Sequence, residues 1–165
     1  MGWKKTKAAV GVQYAALPFR IEGGQVRVLL ITSRGTQRWV IPKGWPMNGL
    51  KPNEAAAVEA MEEAGVVGEI EVAPIGSYRY LKALPDEREI AVQVIVFPLR
   101  VDHIADDWKE QGQRRSAWFR CQRAAGLVAE PALRRLIQDF GAERTPGLLA
   151  QSWRAYRSWR ANTRG

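Results

Sequence analysis

Three glutamates in the middle of the chain, Glu59, Glu62 and Glu63, have a spacing that could hold a cation. Residues three and four positions apart lie on the same face of a helix, so this spacing would gather three carboxylates. The carboxylates would repel one another without a cation among them, and hard oxygen ligands of this kind suit Mg²⁺ or Mn²⁺. The alternative is that they form the ordinary solvated face of an alanine-rich helix.

A helix is predicted to carry these glutamates, beginning at Pro52 and ending at Gly65. Proline suits the first helical position, and Glu54 in the first turn favours the positive end of the helix dipole. Residues 55–64 are nearly all good helix formers, and glycine suits the cap that ends a helix. A loop rich in glycine and proline, residues 44–51, leads into this helix.

The segment from Gly44 to Val66 resembles the Nudix box, whose pattern is G-x5-E-x7-R-E-U-x-E-E-x-G-U with U a bulky apolar residue. The residues on matching positions are Gly44, Glu59, Glu62, Glu63, Gly65 and Val66. The residues that depart from the pattern are Leu50, Val58 and Ala60, which replace the first Glu, the Arg and a bulky apolar residue. Glu54 lies four residues after Leu50 and is a candidate replacement for that acid.

The resemblance extends from Tyr14 to about Phe140, in the order that the family requires. Residues 38–44 resemble the family's strand and glycine loop before the box. Residues 108–119 look like the later strand of the branch that includes diphosphoinositol polyphosphate phosphohydrolases and diadenosine polyphosphate hydrolases. The resemblance implies an α/β (α+β) fold in which a Nudix-like mixed β-sheet is sandwiched between helices.

The resemblance also implies that Glu59, Glu62 and Glu63 bind a divalent metal, Mg²⁺ or Mn²⁺, and form the catalytic group. The implied reaction is metal-dependent hydrolysis of a phosphoanhydride bond in a nucleoside or inositol polyphosphate. A cation there would neutralise the bridging phosphates and lower the pKa of a bound water. The general base stays open among Glu63, Glu110 and Glu89. Because the box is incomplete, a phosphate-binding module with weak catalysis is the alternative.

Candidate substrate ligands lie on or beside the predicted strands. They are Arg20, Ser33, Arg34, Arg38, Lys43 and Gly44. Arginine forks match phosphate oxygens, although each of these charged side chains is also compatible with an ordinary surface position. Trp45 is a candidate for stacking on a base or for core packing, and His103 is expected to be a surface residue.

Strands and a second helix are predicted around this segment. The predicted strands are Val10–Arg20, Gln25–Thr32, 38–41, Glu69–Val72, Ile75–Leu84, Ile90–Val101 and one near Ser116–Phe119. The pair Gly23-Gly24 predicts a hairpin between the first two strands, and apolar residues at helical spacing predict the second helix over Pro131–Phe140. Runs of strands interrupted by two helices indicate a mixed sheet with helices packed on it.

Length and composition predict a single soluble domain. The chain has 165 residues, of which 46% are apolar and 25% charged, and these proportions exclude wholesale disorder. No apolar run approaches the roughly 18 residues that would predict a transmembrane segment. The lone Cys121 cannot form a disulfide within the chain, which favours a reducing, cytoplasmic location. We assign residues 1–143 to the domain and residues 144–165 to a C-terminal tail.

The tail is basic and aromatic. Residues 111–165 carry eleven Lys and Arg against three Asp and Glu, so the net charge of +8 lies in this part of the chain. Trp153, Tyr156 and Trp159 form one stripe at helical spacing, which predicts that the tail docks on the domain. Nucleic-acid binding through the tail is the alternative and is not favoured. A small polyphosphorylated substrate is the expected partner, and the sequence leaves the oligomeric state open.

Overall fold

The structure is a computed structural model, and it describes residues 10–145 of the chain. Its strands are β1 (Val10–Glu22), β2 (Gln25–Thr32), β3 (Trp39–Val40), β4 (Lys43–Gly44), β5 (Val66–Ile70), β6 (Gly76–Ala83), β7 (Glu89–Ile104) and β8 (Ser116–Arg120). Its helices are α1 (Pro52–Ala64), α2 (Cys121–Leu127) and α3 (Pro131–Arg144). The sequence patterns predict these elements except β4 and α2. The helix α2 has seven residues, too few to show a helical period.

The strands form one mixed sheet of eight strands around β1. β7 pairs with β1 in parallel, and β2 pairs with β1 antiparallel beside the predicted turn at Gly23 and Gly24. Both glycines have positive φ angles, which the tight turn requires. β5 and β6 pair antiparallel with β7, and β8 pairs antiparallel with β2. The expectation of a mixed sheet is confirmed.

The strands β1 and β2 pair with each other only over the residues nearest their hairpin. Farther from the hairpin, β4 pairs with β1 and β3 pairs with β2. Val40 of β3 pairs with Ile31 of β2, and Gly44 of β4 pairs with Tyr14 of β1. The expectation that a loop begins at Gly44 is wrong, because backbone pairing with β1 makes Gly44 part of a strand. This pairing ties the start of the loop to the centre of the sheet.

Helices cover both faces of the sheet, as expected from the sequence. The α1 face that contacts the sheet is built from alanines, and Ala56, Ala60 and Ala64 are buried there. Small side chains let the helix lie close to the strands. On the opposite face α2 and α3 cover the larger core cluster, in which Leu133 and Ile137 are fully buried. Each such side chain contributes about 1.5–3 kcal/mol through burial.

The caps of α1 agree with the prediction from the sequence. Pro52 is the first helical residue, and Gly65 caps the other end with a φ of 68°. The backbone N–H of Lys51 donates to Oε2 of Glu54 at 2.8 Å. Glu54 therefore caps the helix that carries the three glutamates. This capping role explains the acid at position 54 without making it a replacement for the box glutamate absent at Leu50.

The helix α3 runs one residue beyond the proposed domain boundary at residue 143. Arg144 is the last residue of α3, and its Nη2 lies 2.8 Å from Oε1 of Glu71. The aromatic stripe of the predicted tail lies outside the described residues. Among residues 10–145, no helix has the length and apolar character needed to cross a membrane.

Candidate active site

An open cleft of about 860 Å³ lies between α1, the ends of β2 and β6, the segment before β8 and the start of α3. The residues in it that the sequence singled out are Ser33, Arg34, Arg38, Lys43, Gly44, Trp45, Glu59, Glu62, Glu63 and Glu110. The fold therefore brings the acidic helix face and most of the candidate phosphate ligands to one place.

The carboxylate of Glu59 lies against the backbone of Gly44. A Cβ atom at position 44 would overlap this carboxylate, so the contact requires glycine. Burial raises the pKa of Glu59, and the neighbouring Glu62 and Glu110 add to the increase. The contact explains why glycine stands at the end of β4, where no positive φ demands it.

Glu63 and Glu110 share one guanidinium, that of Arg114. Arg114 Nη2 lies 3.4 Å from Glu63 Oε1, and Arg114 Nε donates to Glu110 Oε2 at 3.0 Å. Arg114 Nη1 also donates to the backbone oxygen of Thr32 at 3.1 Å. All three charged side chains are nearly buried, with 10–14% of each exposed. Arg114 thus connects α1, the end of β2 and the segment before β8.

Burial raises the pKa of Glu63 to about 7. The cations of Arg114 and Lys43 act in the opposite direction, and the charges of Glu59 and Glu110 add to the increase. Perturbed carboxyl groups of this kind are typical of functional clefts.

Glu62 is more exposed than Glu63, with 35% of its side chain exposed against 12%. Its Oε2 lies 3.5 Å from Nζ of Lys109, and its backbone oxygen accepts from the N–H of Glu110 at 3.0 Å. Within residues 10–145, no three acidic, histidine or cysteine side chains stand close enough together to bind one ion as they are placed. The side chains of Glu62 and Glu63 are turned instead to Lys109 and Arg114.

Lys43 and Arg38 are two cations of the cleft that lie near Glu130. Burial lowers the pKa of Lys43, while the charges of Glu63 and Glu130 act in the opposite direction. The Nζ atom lies 5.3 Å from the ring centroid of Tyr80. Arg38 Nη1 lies 3.7 Å from Glu130 Oε1. The Lys43 side chain lines the cleft, where its cation is available to a phosphate oxygen.

The loop that follows β2 is shaped by its own hydrogen bonds. The N–H of Arg38 donates to Ser33 Oγ at 3.0 Å, and Ser33 Oγ and Thr36 Oγ1 are 2.8 Å apart. Arg34 Nη1 lies 3.1 Å from Glu110 Oε1. The hydroxyl of Ser33 therefore holds the loop that presents Arg34 and Arg38 to the cleft.

Trp45 is 41% exposed at the mouth of the cleft. Its ring lies next to Gly11, where an added Cβ would be 2.9 Å from Trp45 Cζ3. One edge of the ring is thus fixed against β1 while part of its surface stays open for stacking.

Arg20 is the one candidate ligand that the fold places elsewhere. Its Nη2 pairs with Glu22 Oε2 at 2.9 Å, and its guanidinium lies 4.2 Å from the ring centroid of Trp118. Tyr14 is the β1 residue that pairs with Gly44. At about 3.3 Å per residue, Arg20 is about 20 Å farther along the strand.

Two further expectations concern single side chains. Glu89, one of the three candidate bases, begins β7 and does not line the cleft, whereas Glu63 and Glu110 do. His103 is exposed on β7, as expected.

Sequence reasoning did not single out several residues of the cleft as ligands: Gln13, Tyr80, Lys82, Lys109, Arg114 and Glu130. Arg114 carries a weak signal, since an arginine pair precedes the predicted strand β8. Glu130 carries no sequence signal of a ligand, because an acid directly before Pro131 is typical of an ordinary helix start.

Comparison with known proteins identifies the relatives of this fold. The family model described as NUDIX domain matches residues 12–140. Diphosphoinositol polyphosphate phosphohydrolase 3-alpha from Mus musculus is 30% identical over 116 residues, which are 69% of this chain and 66% of that protein. Nudix hydrolase 12, mitochondrial, from Arabidopsis thaliana is 29% identical over 119 residues, 70% of this chain and 59% of that protein. The match thus spans about three fifths to two thirds of these relatives.

Solved structures with the same fold are more distant in sequence. A NUDIX hydrolase from Nitrosomonas europaea has a TM-score of 0.62 at 23% identity, covering 83% of this chain and 92% of its own. A C. elegans Ap4A hydrolase in a binary complex has a TM-score of 0.60 at 18% identity, covering 80% and 96%. The match of the family model over most of the chain, with Gly44 and the three box glutamates in one cleft, shows that this protein belongs to the Nudix family.

Proposed function

We propose that this protein hydrolyses a phosphoanhydride bond in a small polyphosphorylated substrate, with Mg²⁺ or Mn²⁺ as cofactor. One observation carries the proposal. The carboxylates of α1 line the same cleft as the cations Arg34, Arg38 and Lys43. Acids that attract a metal and cations that attract phosphate oxygens are the two parts that phosphoryl chemistry needs.

The donor set fits a hard divalent cation. Glu59, Glu62 and Glu63 supply oxygen ligands alone, and the raised pKa values of Glu59 and Glu63 reflect burial and mutual repulsion that a cation would relieve. These three side chains would hold the ion, with those of Glu62 and Glu63 turning from their present cation partners. When bound, the metal would neutralise phosphate charge and make a bound water more acidic.

The protein's own side chains supply orientation and proton transfer. Lys43 and Arg38, which line the cleft with the α1 carboxylates, bind phosphate oxygens. Glu63 or Glu110 accepts the proton of the attacking water, and Arg114 holds the Glu110 carboxylate in position. The nearly buried setting strengthens each of these electrostatic contacts.

The relatives support a polyphosphate substrate without choosing among polyphosphates. One is named a diphosphoinositol polyphosphate phosphohydrolase and another an Ap4A hydrolase. Both kinds of substrate contain a phosphoanhydride bond. Inositol pyrophosphates and diadenosine polyphosphates are therefore the first compounds to assay.

The test is a product assay with purified protein and Mg²⁺ or Mn²⁺ across these substrate classes. The variants Glu62→Gln and Glu63→Gln should lose at least about 100-fold in kcat while retaining the circular dichroism spectrum of the wild type. The matched control is Glu69→Gln, because Glu69 is exposed on β5 and pairs with Arg100 away from the cleft. Absence of turnover in the wild type with every substrate and both metals contradicts the proposal.

A second candidate function is a phosphate-binding module without turnover. The observation that favours it is the apolar setting of Val58, which lines a groove beside α1 together with Met61 and Leu99. Binding of a substrate by the wild type with no product under either metal would favour this function. Nucleic-acid binding through residues 144–165 and a cytoplasmic location stay predictions from the sequence.

A further inference from the structure

Glu130 places a carboxylate in the cleft at the start of α3, where the proposed reaction does not use one. Its side chain is 12% exposed, and its ion pair with Arg38 Nη1 spans 3.7 Å. Glu130 occupies the N-cap position of α3, yet its side chain makes no capping hydrogen bond. Helix capping therefore does not explain why an acid stands here.

The surroundings leave this carboxylate ready to accept hydrogen bonds. Burial raises the pKa of the nearby Tyr78 and Tyr80, with the Glu130 charge adding to the increase, and the Tyr80 hydroxyl donates to Gln13 Oε1 at 2.7 Å. Burial lowers the pKa of Lys43, and the charges of Glu63 and Glu130 act in the opposite direction. The cleft thus has acids from two elements near Lys43, Glu63 of α1 and Glu130 at the start of α3.

We propose that Glu130 determines substrate specificity by accepting hydrogen bonds from the part of the substrate that carries no phosphate. The inference rests on the proposed function and deepens it: the favoured substrate class is a nucleoside polyphosphate, and inositol pyrophosphates are disfavoured. Lys43 and Arg38 take the phosphates, and Glu130 takes the donor group attached to them.

The chemistry of the two substrate classes separates them at this position. A nucleoside offers ribose hydroxyls and, on most bases, N–H groups that donate to a carboxylate. A fully phosphorylated inositol ring presents phosphate in every direction, and phosphate oxygens are anionic acceptors. A nearly buried carboxylate repels such a group, which discriminates by repulsion as well as by attraction.

The alternative explanation is that Glu130 only balances the charges of Arg38 and Lys43. Charge balance predicts that removing the acid strengthens binding of every polyphosphate to a similar extent. A specificity role predicts effects of opposite sign on the two classes. Steady-state kinetics with two substrates distinguishes these outcomes.

The experiment compares diadenosine tetraphosphate with diphosphoinositol pentakisphosphate as substrates of the full chain in Mg²⁺. Wild type should prefer the nucleotide. Glu130→Gln should lower kcat/KM for the nucleotide about 10-fold, chiefly through KM, because the charge-assisted acceptor is lost. Glu130→Lys should raise kcat/KM for the inositol compound about 10-fold or more. Glu143→Gln, an exposed acid on α3, is the matched control and should leave both values unchanged.

The failures are distinguishable. If wild type turns over either compound, the proposed function stands. If the ratio of kcat/KM for the two compounds is then the same in Glu130→Gln as in wild type, the inference about Glu130 is overturned. Should wild type turn over neither compound, the wider screen with both metals decides the proposed function, and dissociation constants for the same two compounds test Glu130 by the same ratio. A wild-type preference for the inositol compound, in either measurement, also overturns the inference. Thermal melts check each variant, and Glu130→Ala replaces any variant that does not fold.

Discussion

The carboxylate of Glu59 occupies the space that a side chain at Gly44 would fill. Fifteen positions separate the two residues in the sequence, and β4 and α1 bring them into contact. The Nudix-box glycine in this chain therefore serves the acidic helix directly, by leaving room for a proposed metal ligand.

The variant Gly44→Ala should displace Glu59 and lower metal affinity about 10- to 100-fold, because a supporting contact of a ligand is lost. The fold should persist, since the displaced atoms are the far end of a flexible side chain. Calorimetric titration with Mn²⁺ measures the affinity. Gly35→Ala is the control, because Gly35 lines the same cleft and an added Cβ there meets open space. Equal affinities in both variants would contradict this role of Gly44.

Arg114→Ala should destabilise the protein by about 3–5 kcal/mol, because it leaves the nearly buried Glu63 without its ion pair and Glu110 with only the exposed Arg34. Arg114→Lys keeps the charge but loses the fork that reaches Glu63, Glu110 and Thr32 together. It should therefore fold and show a lower kcat with little change in KM. Urea unfolding and steady-state kinetics measure these effects. Arg115→Ala, at an exposed neighbour, should change the free energy of unfolding by less than about 1 kcal/mol.

Two glycines of the helical layer should respond to alanine with opposite signs. A Cβ at Gly141 would be 2.6 Å from Cβ of Cys121, so Gly141→Ala should destabilise the α2–α3 contact by about 1–3 kcal/mol. Gly126 is exposed in α2 with open space around it, so Gly126→Ala should stabilise the protein by about 0.5–1 kcal/mol. Chemical denaturation of the two variants tests the sign, and a stable Gly141→Ala protein would show that α3 shifts freely.

Burial raises the pKa of the Cys121 thiol to about 11 from an ordinary value near 9. The unfolded chain therefore loses this proton first, and the thiol's contribution to stability, complete below pH 9, should disappear as the pH rises to 11. The free energy of unfolding of wild type should fall toward that of Cys121→Ala over this interval. Urea titrations of both proteins at pH 8 and pH 11 measure the difference, and a difference that stays constant would be inconsistent with the raised pKa.

Local spacing in the sequence determined the acidic helix. Pro52, the alanines and Gly65 act over a few residues, so the helix and its glutamate face are predictable without knowledge of the fold. The hairpin at Gly23 and Gly24 and the amphipathic α3 are local in the same way. These signals, with the box residues, were enough to predict the fold class and the family.

Contacts between distant residues were decided by the tertiary structure. Arg114 meets Glu63 across 51 positions and Thr32 across 82, and no local pattern encodes such a pairing. Arg20 and Arg38 are both arginines on or beside predicted strands, yet only Arg38 lines the cleft. Arg20 lies near the other end of β1, because strand length and register decide where a side chain falls. Glu130 lies in the cleft only because α3 starts there. Chemistry local to one helix can thus be predicted from spacing, whereas the partners that position it depend on how the sheet and helices pack.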